Sequence, residues 1–352
     1  MDQQHTTKDT AAKAPANFGK LAKPAAIHFP GSAPLSNASD VFVMISRAFP
    51  GLVKRIPDGE CGMRTNWIIF QVGVFSHCKR ALHPFAVYDQ NKQYEGEVKN
   101  DGAGMAVGPI HLNNMGYDDF AFSSYTVFCR LRDQGIIALN VKFQVCLPNP
   151  HDVMSYCIKQ PQQVEFEARY EAKLIEALMN IQSTIPAKDL AIQWDCPFAV
   201  AMLEGICPPW WLPEDKTMNA DVDMGYHLCY GDYCHQHFKQ PADTTILTQL
   251  ANIINTSVNC RIDWIHLPVP KSRMDKEYLE PLRQLQMRKE LETELYLGLV
   301  HPGDFEGTEK RIQVAAEVLG SRCFGISTEC GWGRSSPEEV KELHEVLRKL
   351  SE

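Results

Sequence analysis

Three histidines and two cysteines fall within the thirteen residues Gly225–His237. Along an extended strand, side chains two positions apart share a face, so His227 and Cys229 would present an imidazole beside a thiol. Those are nitrogen and sulfur donors that zinc accepts, and zinc in turn lowers the pKa of a thiol it holds. An isolated His-x-Cys pair is a weak signal, more often ordinary packing than half of a metal site. Cys234, His235 and His237 follow a turn signal at Gly231-Asp232 and fall outside the strand. The remaining donors of such a site must therefore be carried in by other elements.

Those elements can be read from periodicity. Short apolar runs, each ending on a polar or turn-forming residue, occur at 25–29, 52–56, 136–145, 190–195, 225–229, 262–267, 295–300 and 323–327. Helical periodicity or capping signals between them predict helices over 41–49, 164–181, 244–254, 275–291, 308–319 and 337–350. Residues 72–135 fit the alternation less well. Their turn signals at Asn91, Asn100-Asp101-Gly102 and Asn113-Asn114, and the β-rich stretch Ala121–Phe128, predict an inserted hairpin or lid after the second strand. Eight strands alternating with helices are the pattern of an α/β chain folded as a single (β/α)8 TIM barrel, with a doubly wound sheet as the alternative. The barrel is favoured by where polar residues fall. Ser32, Glu60, Asn149, Asp195, His227 with Cys229, His266, His301 and Cys330 all stand at the C-terminal ends of predicted strands. In a barrel those ends converge on the face that carries the chemistry.

Composition narrows the function classes. The 352 residues carry a formal net charge of −8, with 44% apolar and 22% charged residues, as expected of a globular chain. No basic run with interleaved aromatics marks a nucleic-acid surface, and no apolar stretch is long enough to span a bilayer. Residues 1–24 are polar and lack the apolar centre of a signal peptide, which predicts a disordered tail on a cytoplasmic protein whose barrel occupies 25–352. Twelve scattered cysteines with no Cys-x-x-Cys pair read as free thiols, mostly small buried hydrophobes. The partner expected is a small-molecule substrate, with neither nucleic acid nor membrane, and the oligomeric state is left open.

Five short motifs in order add a resemblance. Gly31-Ser32, Asp58-Gly59-Glu60, Ile192-Gln193-Trp194-Asp195, His227-Leu228-Cys229-Tyr230 and Thr328-Glu329-Cys330-Gly331 resemble the C-terminal catalytic barrel of cobalamin-independent methionine synthase, over most of residues 25–350. The N-terminal barrel of that enzyme has no counterpart in these residues, so the chain looks like a single-barrel relative. The resemblance implies a zinc cofactor held by His227, Cys229 and Cys330. At the position of the family's ligating Glu stands His266, which as an imidazole is itself a competent zinc ligand. It further implies that Glu60 and Asp195 hold a substrate amino group, that the backbone near Gly31-Ser32 holds its carboxylate, and that His301 donates a proton to a leaving group. The activity implied is zinc-dependent transfer of a methyl or other alkyl group to a homocysteine-like thiol. Two departures weaken folate as the donor: Cys146-Leu147-Pro148-Asn149-Pro150 lacks the family's pterin-stacking Trp, and Cys196 follows Asp195. The alternative is a repurposed barrel, since the related uroporphyrinogen decarboxylases share the fold without this zinc set. Such an enzyme would act as a lyase, isomerase or hydrolase on a specialised metabolite. The insertion and the loop containing Trp210 and Trp211 are the segments that would shape a different pocket.

Overall fold

The computed structural model describes residues 26–84, 86, 111–206, 218–232, 236–287 and 293–351. The tail at 1–24, the turn signals at Asn91 and Asn100-Asp101-Gly102, the Trp210-Trp211 loop, Cys207, Cys234 and His235 lie outside these residues. Eight strands form one sheet: β1 Ile27–His28, β2 Arg55–Pro57, β3 Lys142–Pro148, β4 Leu190–Asp195, β5 Asp223–His227, β6 Trp264–Pro268, β7 Glu294–Val300 and β8 Gly325–Thr328. Their order is β1-β8-β7-β6-β5-β4-β3-β2, and every pairing is parallel. The two ends of the sheet meet at Ile27, which bridges Val53 and donates its N–H to the Leu52 carbonyl at 2.8 Å. The result is a nearly closed (β/α)8 barrel of the TIM type, as the alternation of elements predicts.

Strands covered on both faces read as continuous apolar runs. All six residues of β4 are buried, as are all but the first of β7. Outside them, helix Gln163–Thr184 buries a stripe of Phe166, Tyr170, Leu174, Leu178 and Ile181 in the core. Helix Ala38–Ala48 starts at Asn37, whose side chain accepts from the Asp40 N–H and satisfies a donor that the first turn leaves open.

Three expectations fail, each for a local reason. Ala121–Phe128 is not a strand; it lies inside helix Tyr117–Asp133, which buries Tyr117, Ala121, Ser124, Phe128 and Leu131. Those buried positions step by three and four, and that period outweighs the β propensity of Tyr, Thr, Val and Phe. Of the long helix predicted over 275–291, the described part, 275–287, holds one short helix, Lys276–Leu279, passing into 3-10 turns at Glu280–Gln284. Pro281 stands at that junction and cannot donate to an α-helical ladder. Strand β3 begins at Lys142, because residues 136–140 form a turn-rich approach that buries Ile137 and leaves Leu139 exposed.

The barrel interior is unusually polar. His28 Nε2 meets Gln193 Oε1 at 2.9 Å, Gln144 donates to the same oxygen at 3.2 Å, and Gln193 donates to Asp195 Oδ1 at 2.9 Å. Below them Trp264 fills the centre. A Cβ on Gly225, its β5 neighbour, would lie 2.0 Å from the Trp264 ring, so that ring has room only because residue 225 is glycine. Among the described residues, no helix is long and apolar enough to cross a membrane.

Candidate active site and metal centre

The register of the sheet sets the site. Asp195 and His227, the last residues of β4 and β5, are lateral partners, and His227 is in turn level with His266 in the middle of β6, so a carboxyl and two imidazoles stand side by side towards the C-terminal face. Two residues beyond His227, Cys229 is buried on the same side; from across the barrel the loop after β8 brings Cys330. One donor atom each from His227, Cys229 and Cys330 falls within 4.8 Å of the others, and His227 Nε2 is 3.8 Å from Cys330 Sγ. The set fits a metal. Zinc bonds of about 2.0 Å to nitrogen and 2.3 Å to sulfur place tetrahedral donors roughly 3.5–3.8 Å apart. A hydrogen bond from the Cys229 thiol holds Cys330 well below the usual thiol range against the opposing effect of burial, with His227 and Arg334 acting in the same direction. Cys229, as the donor of that bond, is pushed up. One thiolate is therefore ready for a cation before the second gives up its proton.

His266 does not join this cluster as the expected fourth donor. It is fully buried, with one ring nitrogen on His227 and the other on the Thr328 carbonyl. Three protein donors leave one tetrahedral position, and all three line a cavity of about 420 Å³, within the size range of small-molecule sites.

Ser32, Glu60 and Asp195 line that cavity too. Ser32 Oγ accepts from the Gly333 N–H at 3.2 Å and its carbonyl accepts from the Trp332 N–H at 2.7 Å, tying the end of β1 to the loop carrying Cys330. Glu60 has a φ of 48°, a left-handed conformation uncommon for a residue with a side chain. It is held there by its N–H on Asp58 Oδ1 at 2.9 Å, while Asp58 pairs with Arg64 and Ser124 at 2.6 and 2.7 Å. Burial raises the Glu60 carboxyl to about 7, partly offset by Arg64. Burial and then the charge of Glu60 raise Asp195, against the hydrogen bond from Gln193. The two acids stand buried together, an arrangement that favours a cation between them.

His301 lies behind the wall. Its Nε2–H donates to the Val269 carbonyl at 2.9 Å, its Nδ1 is 3.9 Å from Glu329 Oε2, and burial lowers it to about 4, so it stays neutral near pH 7. On the cavity wall, besides His227, stands His237, with Nε2 2.9 Å from Glu329 Oε1. Glu329 raises the His237 pKa against the lowering effect of burial. Asn149 serves structure instead, closing a capping box with Asp152 and donating to Cys196 Sγ at 2.9 Å.

Several lining residues carry no signal in the sequence. His237 was separable from its neighbours only by knowing which way the loop runs. Arg334, 3.9 Å from Cys330 Sγ and 2.8 Å from Asp232, sits in a Gly-rich loop that reads as a turn. Trp67, at a φ of 50°, opens an apolar wall completed by Ile68, Ile69, Tyr156, Phe198 and Phe238.

No protein-family model matches the chain, and no curated protein matches it. Among solved structures it is similar to a protein of Listeria monocytogenes assigned as a vitamin-B12-independent methionine synthase. The match has 17% identity and a TM-score of 0.46, covering 89% of this chain and 86% of that one. It is also similar to a B12-independent methionine synthase of Shewanella sp. W3-18-1 solved with selenomethionine, at 17% identity and a TM-score of 0.45, covering 70% and 68%. Likeness at this level assigns no activity.

Proposed function

We propose that this protein is a zinc-dependent transferase that moves a methyl or other alkyl group onto a small thiol substrate bearing an amino group. The observation that carries this reading is the convergence of His227, Cys229 and Cys330 within 4.8 Å on a cavity that also holds two buried carboxyls. When bound there, zinc supplies a lowered thiol pKa and so a thiolate nucleophile near neutral pH. The chain's own groups position the substrate. Glu60 and Asp195 hold its ammonium by charge-assisted hydrogen bonds, which offsets the cost of ionising both acids in a buried site. Ser32 and the adjoining backbone sit where the substrate carboxylate would lie, and His237, with Glu329 behind it, holds a proton at the wall for the leaving group.

The test is metal content and thiol alkylation, on protein purified without added zinc. About one zinc per chain is expected in the wild type and much less in Cys330→Ser, with alkyl transfer to an aminothiol abolished by a strong chelator and restored by zinc. Full turnover in verified metal-free protein would sink the proposal. It would favour instead a lyase, isomerase or hydrolase acting on a specialised metabolite, a reading supported by the apolar wall of Trp67, Ile68, Ile69, Tyr156, Phe198 and Phe238. That wall is large for an amino-acid thiol alone and leaves room for an apolar group, whether on the alkyl donor or on a different substrate.

A further inference from the structure

His266 stands beside the three metal donors without joining them, and its hydrogen bonds determine what it does. Its Nε2 lies 3.1 Å from the backbone oxygen of Thr328. A carbonyl oxygen only accepts, so that nitrogen carries a proton. The ring is fully buried, and its hydrogen-bond partners are His227 and Thr328 rather than a carboxylate, so the neutral form with a single ring proton is the one its surroundings favour. Nδ1 of His266 is then a lone pair. It lies 2.5 Å from Nδ1 of His227, which must be the donor. The two rings are within 25° of parallel with centroids 4.7 Å apart, so a contact of that length leaves them edge to edge rather than face to face. His227 has one nitrogen left. Nε2, 3.8 Å from Cys330 Sγ, is the nitrogen left to face a metal among the three donors.

We infer that His266 is a positioning residue that presets His227 in its metal-ligating tautomer, through a relay starting at the Thr328 carbonyl. The order is Thr328 C=O, His266 Nε2–H, His266 Nδ1, His227 Nδ1–H, and finally the His227 Nε2 lone pair. The inference rests on reading the His227, Cys229 and Cys330 cluster as a metal site. Strand β8 thus contributes twice: its following loop supplies Cys330, and its last carbonyl orients a ligand on β5 through β6. A hydrogen-bonded outer partner of this kind fixes the ring orientation of a metal-bound histidine and raises its basicity. It also means that the residue aligned with the family's ligating carboxylate supports the metal from behind, leaving the fourth position open to the cavity.

The experiment uses zinc itself as the probe, without substrate. Zinc affinity is measured by competition with a chromophoric chelator in the wild type, His266→Gln and His266→Leu, and the zinc environment of the wild type is counted by X-ray absorption. Gln retains an oxygen to accept from His227 and an amide to donate to Thr328; Leu retains neither. Expected are one imidazole and two sulfurs around zinc in the wild type, affinity about 10–100-fold weaker in His266→Leu, and most of it kept in His266→Gln. Two imidazoles in the wild-type spectrum, or a His266→Leu variant that binds zinc as tightly as the wild type, would overturn the relay while leaving the metal site standing. A wild type that binds no zinc would overturn the relay and the metal site together. The wild-type spectrum decides the question even where His266→Leu does not fold.

Discussion

At the scale of single residues, the site is a set of ionisable groups buried beside one another. Glu60 shows what that costs. In the folded chain its carboxyl is raised from 4.5 to about 7, burial being the main cause. Between those values the folded state keeps a proton that the unfolded state has lost. The stabilisation is therefore complete below the window and is lost as pH rises through it, on the order of 3 kcal/mol for the whole shift. Asp195 is raised too and contributes with the same sign. Glu60→Gln is thus expected to weaken less than the wild type between about pH 5 and about pH 8, the slope that remains being that of Asp195. With chelator present throughout, equal pH slopes in the two proteins would show that Glu60 is not the titrating group. A second prediction separates two histidines. His237→Gln should lower kcat for alkyl transfer by about 10²-fold or more, the usual worth of a positioned acid, and His301→Gln should change it little. The reverse ranking would return the proton to His301, where the resemblance puts it. Spacing alone made His227 and Cys229 legible, because two residues on one strand share a face. Cys330 lies 101 positions further on than Cys229 and could be joined to them only through the family motif. His237 could not be singled out either, because what marks it is contact with Glu329, formed across the barrel mouth.

At the scale of elements, the interior of the barrel depends on one glycine. Trp264 occupies the space that a side chain at residue 225 would need, with the Arg55 guanidinium 4.0 Å above its ring and His28 and Tyr296 around it. Gly225→Ala is expected to destabilise the fold by about 1–3 kcal/mol or more, as overpacking of a filled core does. Gly225→Ala with Trp264→Phe should cost clearly less than the sum of the two single changes, because the smaller ring makes room. Strict additivity in denaturant unfolding would mean that Trp264 is not the obstacle. The two substitutions bear on the candidate site as well, since Gly225 is two residues from His227 and Trp264 two from His266. The elements that sequence reading placed well, such as β4 and helix Gln163–Thr184, are those whose apolar period is unbroken over many residues. It misplaced Tyr117–Asp133 because the strand-forming side chains there also satisfy a helical period, and which of the two applies depends on the surface they meet. The polar interior was hidden for a related reason. His28, Gln144 and Gln193 each stand between apolar neighbours in the sequence, and only the closing of the barrel brings them into one network.

At the scale of the whole molecule, the barrel has a weak side and a site that spans its width. β3 and β4 pair over six registered residues, whereas β1 has two residues and meets the β2 side through the Ile27–Val53 bridge. The seam is reinforced from above, where the Ala33 N–H donates to the Gly59 carbonyl at 2.8 Å. A metal at His227, Cys229 and Cys330 would join the end of β5 to the loop after β8, two strands that do not pair in the sheet. Anything that binds the folded state alone stabilises it by mass action. Such a clip should act mainly on the elements it joins, because opening β5 or β8 would then require losing a ligand. Hydrogen exchange of zinc-loaded and chelator-treated protein tests this. Removal of the metal is expected to accelerate exchange at the ends of β5 and β8 and in the Ser32–Gly333 contact, while β3 and β4 keep their protection until the molecule unfolds globally. Cys330→Ser should exchange like the stripped wild type whether or not zinc is added. Uniform acceleration across all eight strands would instead mean that the barrel opens as one unit, with the metal contributing to global stability and not to local closure of the catalytic face.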